Sequence, residues 1–122
     1  MSAVKKIYHL SNCSTCQRII KELDLKQENC EFQDIKTNPI SADDLDVLAQ
    51  IAGSYENLFS RRAMKYRELG LGDKKLTEKD YKSYILGEYT FLQRPVIVIG
   101  SSIFIGSSKK TTALTMEALL HE

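Results

Sequence analysis

Strand and helix patterns alternate over the first 35 residues, and this alternation most constrains how the chain can fold. Residues 4–10 (VKKIYHL) are rich in β-branched and aromatic side chains and predict a short strand. Apolar side chains then recur at helical spacing, as at Ile19 and Leu23, which predicts a helix over residues 14–26. Residues 31–35 (EFQDI) predict a second strand. Strand, helix and strand within about thirty residues are typical of a parallel βαβ unit.

The middle of the chain predicts several helices in series. Ser41, followed by two aspartates, is typical of a helix start, and Gly53 is typical of a helix end. Residues 55–86 have helical patterns that are interrupted at residues 70–73 (GLGD). Within this segment, Thr77 is followed by acidic residues in the way that a capped helix start requires.

The C-terminal part predicts a hairpin and a closing helix. An Arg-Pro step introduces residues 96–99 (VIVI), a fully apolar run that is typical of a buried strand. A tight turn at residues 100–102 and a partner strand at residues 103–105 complete the hairpin. The closing helix spans residues 109–121, and we expect three of its apolar side chains to face the core: Leu114, Ala118 and Leu119.

The order of these elements is β-α-β, a helical insertion, and then β-β-α, which is typical of a thioredoxin-like fold. A length of 122 residues, with 43% apolar and 27% charged side chains, suits one domain with one core. We therefore predict an α/β chain with a mixed four-stranded sheet, as a single domain over residues 1–122. The formal net charge of +1 does not indicate a surface that binds nucleic acid.

Cysteine usage indicates the cellular compartment. Three cysteines are too few, and odd in number, for the disulfide framework of a small secreted protein. The N-terminal sequence MSAVKKIYHLSNC lacks the apolar core of a signal peptide, and no apolar run approaches the roughly 20 residues of a membrane span. We expect a reducing, cytoplasmic setting without membrane contact, where a Cys-x-x-Cys pair is redox-active or metal-binding rather than structural.

Cys13 and Cys16 form such a pair where the first strand meets the first helix. If that helix begins at Ser14, its unpaired N–H groups and the positive end of its dipole lower the pKa of the Cys13 thiol, and the thiolate is the nucleophile. Cys16, one turn further, is either a resolving thiol or a small buried residue. His9, at the strand end, either adds a positive charge or hydrogen bond near Cys13 or has only a structural place.

The cysteine pattern does not indicate a metal site. A closed zinc site takes four ligands, usually from two Cys-x-x-Cys-like pairs. This chain has one pair and a lone Cys30 at the start of the second predicted strand. We expect Cys30 to be an inert, partly buried thiol, and we predict neither a metal nor a bound cofactor.

Arginine is the second chemical feature of the sequence. A planar guanidinium binds an oxyanion or carboxylate through two parallel hydrogen bonds, which lysine does not reproduce. Arg94 directly precedes Pro95 at the start of a buried strand, so we expect it to be held in a fixed place. Arg61, Arg62 and Arg67 lie in the stretch FSRRAMKYRELG, where the alternative interpretation is a solvated charge run, favoured for Arg61 and Arg67.

Three stretches, IYHLSNCSTC, RRAMKYRELG and LQRPVIVI, follow in this order over nearly the whole chain. Together they resemble the glutaredoxin-coupled arsenate reductases and their Spx-type relatives. The resemblance implies a thioredoxin fold with a helical insertion, Cys13 as the nucleophile and His9 close to it. It also implies that Arg62 and Arg94 line an anion pocket over Cys13, and that Pro95 is a cis proline.

The match to the reductases is incomplete at the arginines. The spacing to Tyr66 favours Arg62 over its neighbour Arg61 as the first anion ligand. The reductases also have a third arginine just after the hairpin, where this chain has Ser107. Losing one fixed donor typically removes about two to four kcal/mol of transition-state stabilisation, so arsenate reduction is expected to be weaker here.

Cys16 leaves two functions open. Many reductases of this type have another residue there and use glutathione to resolve the first intermediate, whereas the Spx-type regulators carry Cys-x-x-Cys as a disulfide switch. The resemblance implies a thiol-dependent oxidoreductase in which Cys13 attacks arsenate or a mixed disulfide, and Cys16 or glutathione resolves the intermediate. Glutathione with glutaredoxin, or thioredoxin, is the expected electron donor. The alternative is an Spx-type redox-sensing transcription regulator that binds RNA polymerase, without turnover and without direct contact to nucleic acid.

Overall fold

A computed structural model describes residues 5–121 of the chain. These residues contain four strands: β1 Lys5–His9, β2 Glu31–Asp34, β3 Val96–Ile99 and β4 Ser102–Ile105. They also contain five α-helices: α1 Ser14–Glu22, α2 Ala42–Ala52, α3 Met64–Glu68, α4 Glu78–Gly87 and α5 Lys109–Leu120. Single turns of 3₁₀ helix lie at Glu56–Leu58, Leu71–Asp73 and Tyr89–Phe91. In the part of the chain that the structure describes, no helix combines the length and the apolar character that crossing a membrane requires.

The chain divides into two compact units. The first contains the described residues up to Asn38 together with those from Arg94 onward, and the second is Pro39–Gln93. The first unit therefore holds the whole sheet with α1 and α5, and the second holds the helical insertion. The expectation of a single domain over residues 1–122 stays a prediction.

The sheet of the first unit has the strand order β2-β1-β3-β4. β1 and β2 are parallel, so α1 is the crossover of a βαβ unit, while β3 runs antiparallel to both β1 and β4. The predicted mixed four-stranded sheet and the thioredoxin-like order with a helical insertion are confirmed. In this register His9 is level with Asp34, at the end of the two parallel strands, and Tyr8 is level with Val96.

The core of the first unit lies between the sheet and its helices. Ile7 of β1, Ile19 of α1 and Ile97 of β3 are all buried in one apolar cluster. The prediction for α5 was partly wrong. Ala118 and Leu119 pack against this cluster, but Leu114 is 47% exposed, and its neighbour Thr115 is 1% exposed instead. Thr115 is accommodated because its hydroxyl donates to the carbonyl oxygen of Thr111 at 2.7 Å.

Helix α1 is shorter than predicted and ends at Glu22. Asp24 follows with φ of 54°, in the left-handed region. The N–H of Leu25 donates to the carbonyl of Ile20 at 3.0 Å, and the N–H of Asp24 donates to that of Lys21 at 3.1 Å. These two bonds are a Schellman motif, which terminates the helix while the apolar pattern continues to Leu25.

The second unit is held by helix caps and an aromatic cluster. The Ser41 hydroxyl accepts from the N–H of Asp44 at 3.1 Å, and Gly53 ends α2 with φ of 97°. Thr77 and Asp80 form a reciprocal capping box at the start of α4. These helix boundaries, expected from the sequence, are confirmed. The ring of Phe59 contacts three other aromatic rings, those of Tyr66, Tyr81 and Phe91.

Candidate active site

The loop between β1 and α1 places Cys13 at the start of a helix. Cys13 has extended backbone angles, φ −96° and ψ 111°, and is the N-cap residue of α1. Its carbonyl accepts the first helical bond, from the N–H of Gln17 at 3.0 Å, and its own N–H donates to Leu10 at 3.1 Å. The backbone on both sides of the thiol is therefore hydrogen-bonded, so the thiol has a defined position at the positive end of the helix.

The surroundings of Cys13 favour its thiolate. Partial burial acts to raise the pKa of the thiol, but hydrogen bonding from the N–H and the thiol of Cys16 and from the N–H of Thr15 lowers it. The positive charge of Arg94 acts in the same direction, and the net result is a lowered pKa. The side chain of Cys13 makes no capping hydrogen bond to the helix. Nearby donors still lower its pKa, because they stabilise the thiolate more than the thiol.

Cys16 has the opposite character. It is fully buried, and burial raises the pKa of its thiol to about 11. The neighbouring Cys13 raises it further, while the N–H of Leu10 and the charge of Arg94 oppose the shift. Both cysteines are reduced in the structure. One thiol is thus partly exposed and readily ionised, and its partner is recessed and protonated, which is the arrangement that nucleophilic attack followed by resolution requires.

Arg94 and Pro95 lie in the same unit as the two cysteines. The Arg94–Pro95 peptide bond is cis, as the resemblance implies. Pro95 directly precedes β3, and its carbonyl accepts from the N–H of Gly106 at 2.9 Å. Since β3 pairs with β1, the start of β3 lies beside the end of β1, and this brings the charge of Arg94 to both thiols.

His9, the last residue of β1, is buried and packs against Phe32 of β2. Its side chain is 8% exposed, and its ring meets the edge of Phe32 at a centroid distance of 5.6 Å. Within residues 5–121, its Nδ1 has no hydrogen-bond partner. Its charge lowers the pKa of Asp34, whereas the strongest influences on the pKa of Cys13 are burial and the groups of Cys16, Thr15 and Arg94. That His9 adds a positive charge or a hydrogen bond near the Cys13 thiol stays a prediction.

The arginines of the insertion lie in the second unit and differ from each other. The guanidinium of Arg61 donates to the carboxylate of Glu56 at 2.7 Å and to the hydroxyl of Tyr81 at 3.1 Å. Arg62 is exposed, and its guanidinium forms no hydrogen bond or ion pair with any residue between 5 and 121. Arg62 is therefore the more available of the two for an external anion, while its place in an anion site stays a prediction.

The structure brings together three polar residues near Cys13 that were not predicted as site residues: Ser11, Gln17 and Asp34. The hydroxyl of Ser11 donates to Asp34 Oδ2 at 2.5 Å, and the N–H of Ser11 donates to the same atom at 3.3 Å. The side-chain amide of Gln17 donates to the carbonyl of Ser11 at 2.8 Å. No local sequence signal could have found this, because Ser11 and Asp34 meet only when the two parallel strands pair.

No metal site is present in the described part of the chain, where histidine, cysteine and acidic side chains do not gather in groups of three or more. Cys30 is a buried thiol just before β2, and burial raises its pKa to about 11. A thiol in that state is protonated at neutral pH and is a poor nucleophile, which agrees with the inert role expected for it.

A model of the ArsC family matches residues 8–114 of this sequence. The chain belongs to the ArsC family. Its structure is similar to that of an arsenate reductase from Vibrio cholerae, with 18% identity and a TM-score of 0.77, over 97% of this chain and 99% of that one. An arsenate reductase (ArsC) related protein from Brucella melitensis has 19% identity and a TM-score of 0.68, over 93% and 95%. No curated protein matches the sequence.

A further structure is similar to this ArsC-family protein at higher identity. It is a possible arsenate reductase from Streptococcus mutans, with 27% identity and a TM-score of 0.69, over 88% of this chain and 92% of that one. The described elements of this ArsC-family protein lack an arginine after the hairpin, where Ser107 follows Gly106 and α5 begins directly afterwards. Lys109 and Lys110, in the first turn of α5, are exposed.

Proposed function

We propose that this ArsC-family protein is a thiol-dependent oxidoreductase in which Cys13 is the nucleophile. One observation carries the proposal. Cys13 has a lowered thiol pKa, while the adjacent Cys16 is fully buried with a pKa of about 11. Because their pKa values differ so much, Cys13 is suited to the initial attack and Cys16 to the later resolution of the intermediate.

In the proposed reaction, the Cys13 thiolate attacks an oxidised centre. With a mixed disulfide, a bond forms between the Cys13 sulfur and one substrate sulfur, and the other sulfur leaves as a thiolate. With arsenate, a bond forms between the Cys13 sulfur and arsenic(V), and an oxygen leaves as hydroxide. A second thiolate then attacks the Cys13 sulfur to form a disulfide, and the departing arsenic keeps the electron pair as arsenite.

The second thiol comes from Cys16 or from glutathione. Cys16 is close enough to hydrogen-bond with Cys13, so once Cys13 has attacked an external disulfide, Cys16 is the nearest thiol that can resolve the product. The resulting Cys13–Cys16 disulfide takes two electrons from thioredoxin, or from glutathione through glutaredoxin. These donors belong to the reducing cytoplasm, which is the location that the proposal assumes.

An anionic substrate needs cationic donors near Cys13. Arg94 supports this role because its charge acts on the Cys13 thiol and because it precedes a cis proline at the start of β3. A guanidinium offers two parallel hydrogen bonds to an oxyanion. For Arg62, the role of anion ligand is an implication of the family resemblance, and Arg62→Ala compared with Arg61→Ala tests it separately.

The experiment that tests the proposal is NADPH consumption by the purified protein with and without arsenate. One series contains glutathione, glutaredoxin and glutathione reductase, and the other contains thioredoxin and thioredoxin reductase. We expect turnover in one series, its loss in Cys13→Ser, and a dependence on Cys16 in the thioredoxin series. A disulfide substrate in place of arsenate extends the assay. Full activity in Cys13→Ser, or no turnover with either substrate in either series, contradicts the proposal.

The Spx-type regulator is the second candidate function, because Ser107 stands where the reductases have a third arginine and because Cys16 is present. In this alternative the Cys13–Cys16 pair senses oxidants and binds RNA polymerase without turnover. Polymerase capture by the oxidised protein, compared with the reduced protein and with Cys16→Ser, distinguishes the two. Capture that depends on the disulfide, together with no turnover in the assay above, favours the regulator.

A further inference from the structure

The loop between β1 and α1, residues 10–13, is hydrogen-bonded to the end of β2 through Ser11. All three of its polar groups are engaged. Its N–H and hydroxyl donate to Asp34, and its carbonyl accepts from Gln17 in α1. Ser11 thus links β2 to α1 on one side of Cys13, at a loop position where Ser11 and Asn12 are otherwise exposed.

Asp34 is well placed to serve as the anchor for this loop. It ends β2 and is level with His9 at the end of β1, so its own backbone is part of the parallel sheet. Its second carboxylate oxygen accepts from the N–H of Lys36 at 3.0 Å, and its carbonyl accepts from Asn38 at 2.8 Å. A carboxylate held at both oxygens and within a sheet is a rigid acceptor for the donors of the exposed loop.

We propose that Asp34 is a positioning residue for the nucleophile: by holding Ser11, it keeps the sulfur of Cys13 against the N–H groups at the start of α1. The inference rests on the proposed function, because it concerns the same thiol. The strongest influences on the pKa of the Cys13 thiol are its burial and the groups of Cys16, Thr15 and Arg94, and Asp34 is not among them. Its effect is therefore geometric and passes through the hydrogen bonds to Ser11.

The ionisation of Asp34 supports this role. The hydroxyl of Ser11 lowers the pKa of the Asp34 carboxyl, against an opposing effect of burial, and the N–H groups of Lys36 and Ser11 and the charge of His9 lower it further. The carboxylate is therefore charged at neutral pH. A hydrogen bond to a charged acceptor is stronger than one between neutral groups.

The test measures the rate of alkylation of Cys13 by iodoacetamide as a function of pH, in the full reduced chain, with Cys13 identified by peptide mass spectrometry. We expect Asp34→Ala and Ser11→Ala each to raise the pKa of Cys13 and to slow its alkylation at pH 7 by about tenfold, since the thiolate fraction falls tenfold for each unit of pKa. Asp34→Asn keeps an acceptor oxygen for Ser11 but loses the bond from the N–H of Lys36, and it is expected to stay within about threefold of the original protein because only the bonds to Ser11 reach the loop.

Two further variants make the test specific. The double variant Ser11→Ala with Asp34→Ala is expected to be no slower than Asp34→Ala, because Asp34→Ala already removes both bonds from Ser11, including the hydroxyl bond that Ser11→Ala removes. Glu31→Ala is the matched control, since Glu31 is an acidic residue on the same strand that pairs with Lys6 at 3.1 Å, away from the loop. It is expected to leave the alkylation profile of Cys13 unchanged.

An unchanged profile in Ser11→Ala overturns the inference, and this variant removes only one exposed hydroxyl, so it tests the idea even if Asp34→Ala does not fold. An Asp34→Asn variant as slow as Asp34→Ala also overturns it, because the effect would then follow the charge of Asp34 or its bond to Lys36 and not the bonds to Ser11. These outcomes concern differences between variants. An unmodified protein whose Cys13 pKa is not lowered contradicts the proposed function, whatever the variants do.

Discussion

Cys13 at the start of α1 and Arg94 just before β3 are electrostatically coupled. Burial alone would raise the pKa of the Cys13 thiol, and the positive charge of Arg94 acts against it, together with the donors from Cys16 and Thr15. The two residues belong to the two separate sequence segments of the first unit, and the antiparallel pairing of β1 with β3 places the end of β1 beside the start of β3. The pKa of the nucleophile therefore depends on residues from both sequence segments of this unit.

Replacing Arg94 by glutamine is expected to raise the pKa of Cys13, because the variant removes a positive charge that favours the thiolate. Cys16→Ala is expected to raise the pKa more, since hydrogen bonding from the Cys16 thiol contributes more than the charge of Arg94. The pH profile of Cys13 alkylation gives both values. Arg94→Lys keeps the charge and serves as the control. A lower pKa in Arg94→Gln would contradict the coupling.

The stability of the protein is expected to fall between about pH 9 and pH 11, in part because of Cys30. Burial raises the pKa of this thiol from 9.0 to about 11. In that interval the unfolded chain has lost the proton and the folded chain has kept it, so unfolding releases a proton and becomes easier as the pH rises. The contribution of Cys30 to the free energy of unfolding is about 1–3 kcal/mol over the interval.

Denaturant unfolding of Cys30→Ala, measured against the unmodified protein at several pH values under reducing conditions, isolates this contribution. The alanine variant has its own packing cost, so the pH dependence and not the absolute stability is compared. We expect a shallower fall in the variant between pH 9 and pH 11. Parallel curves for the two proteins would mean that the Cys30 thiol ionises equally well when folded.

Phe59 is expected to be essential for the stability of the helical insertion. Its ring is 1% exposed, stacks on Phe91 at a centroid distance of 5.0 Å and meets Tyr81 edge-on at 4.9 Å. Phe59→Ala should lower the free energy of unfolding by about 3–5 kcal/mol, through lost burial and the cavity that remains. Met64→Ala is the control, since Met64 is 78% exposed and its loss should change stability by about 0.5 kcal/mol or less. Equal losses in the free energy of unfolding for the two variants would contradict the expected role of Phe59 in the stability of the insertion.

Asp24 is expected to tolerate glycine but not a β-branched residue. Its φ of 54° lies in the left-handed region, where the Cβ atom of most residues is strained. Asp24→Val should lower the free energy of unfolding by roughly 1–2 kcal/mol, while Asp24→Gly should stay within about 1 kcal/mol of the original. Both variants lose the exposed contact to Lys26, so their difference reports the backbone alone. Equal unfolding midpoints for valine and glycine would refute the Schellman assignment.

The sequence by itself determined the elements whose signals are local. The start of α2 at Ser41 and of α4 at Thr77, the end of α2 at Gly53, and the order of strands and helices all follow from neighbours within about four residues. The place of Cys13 at a helix start belongs to the same class, since a strand, a polar turn and a helical pattern meet there. The candidate nucleophile could therefore be recognised from the sequence alone.

Only the tertiary structure decided which groups surround that nucleophile. The bond from Ser11 to Asp34 joins residues 23 positions apart and exists because β1 and β2 pair in parallel. The burial of Thr115 in place of Leu114 depends on how α5 is rotated against the sheet, since a helical pattern with apolar residues on several sides does not specify one face. Local propensities act over one turn of helix, whereas the burial, hydrogen bonds and charges that set a thiol's pKa come from whatever the fold brings alongside it.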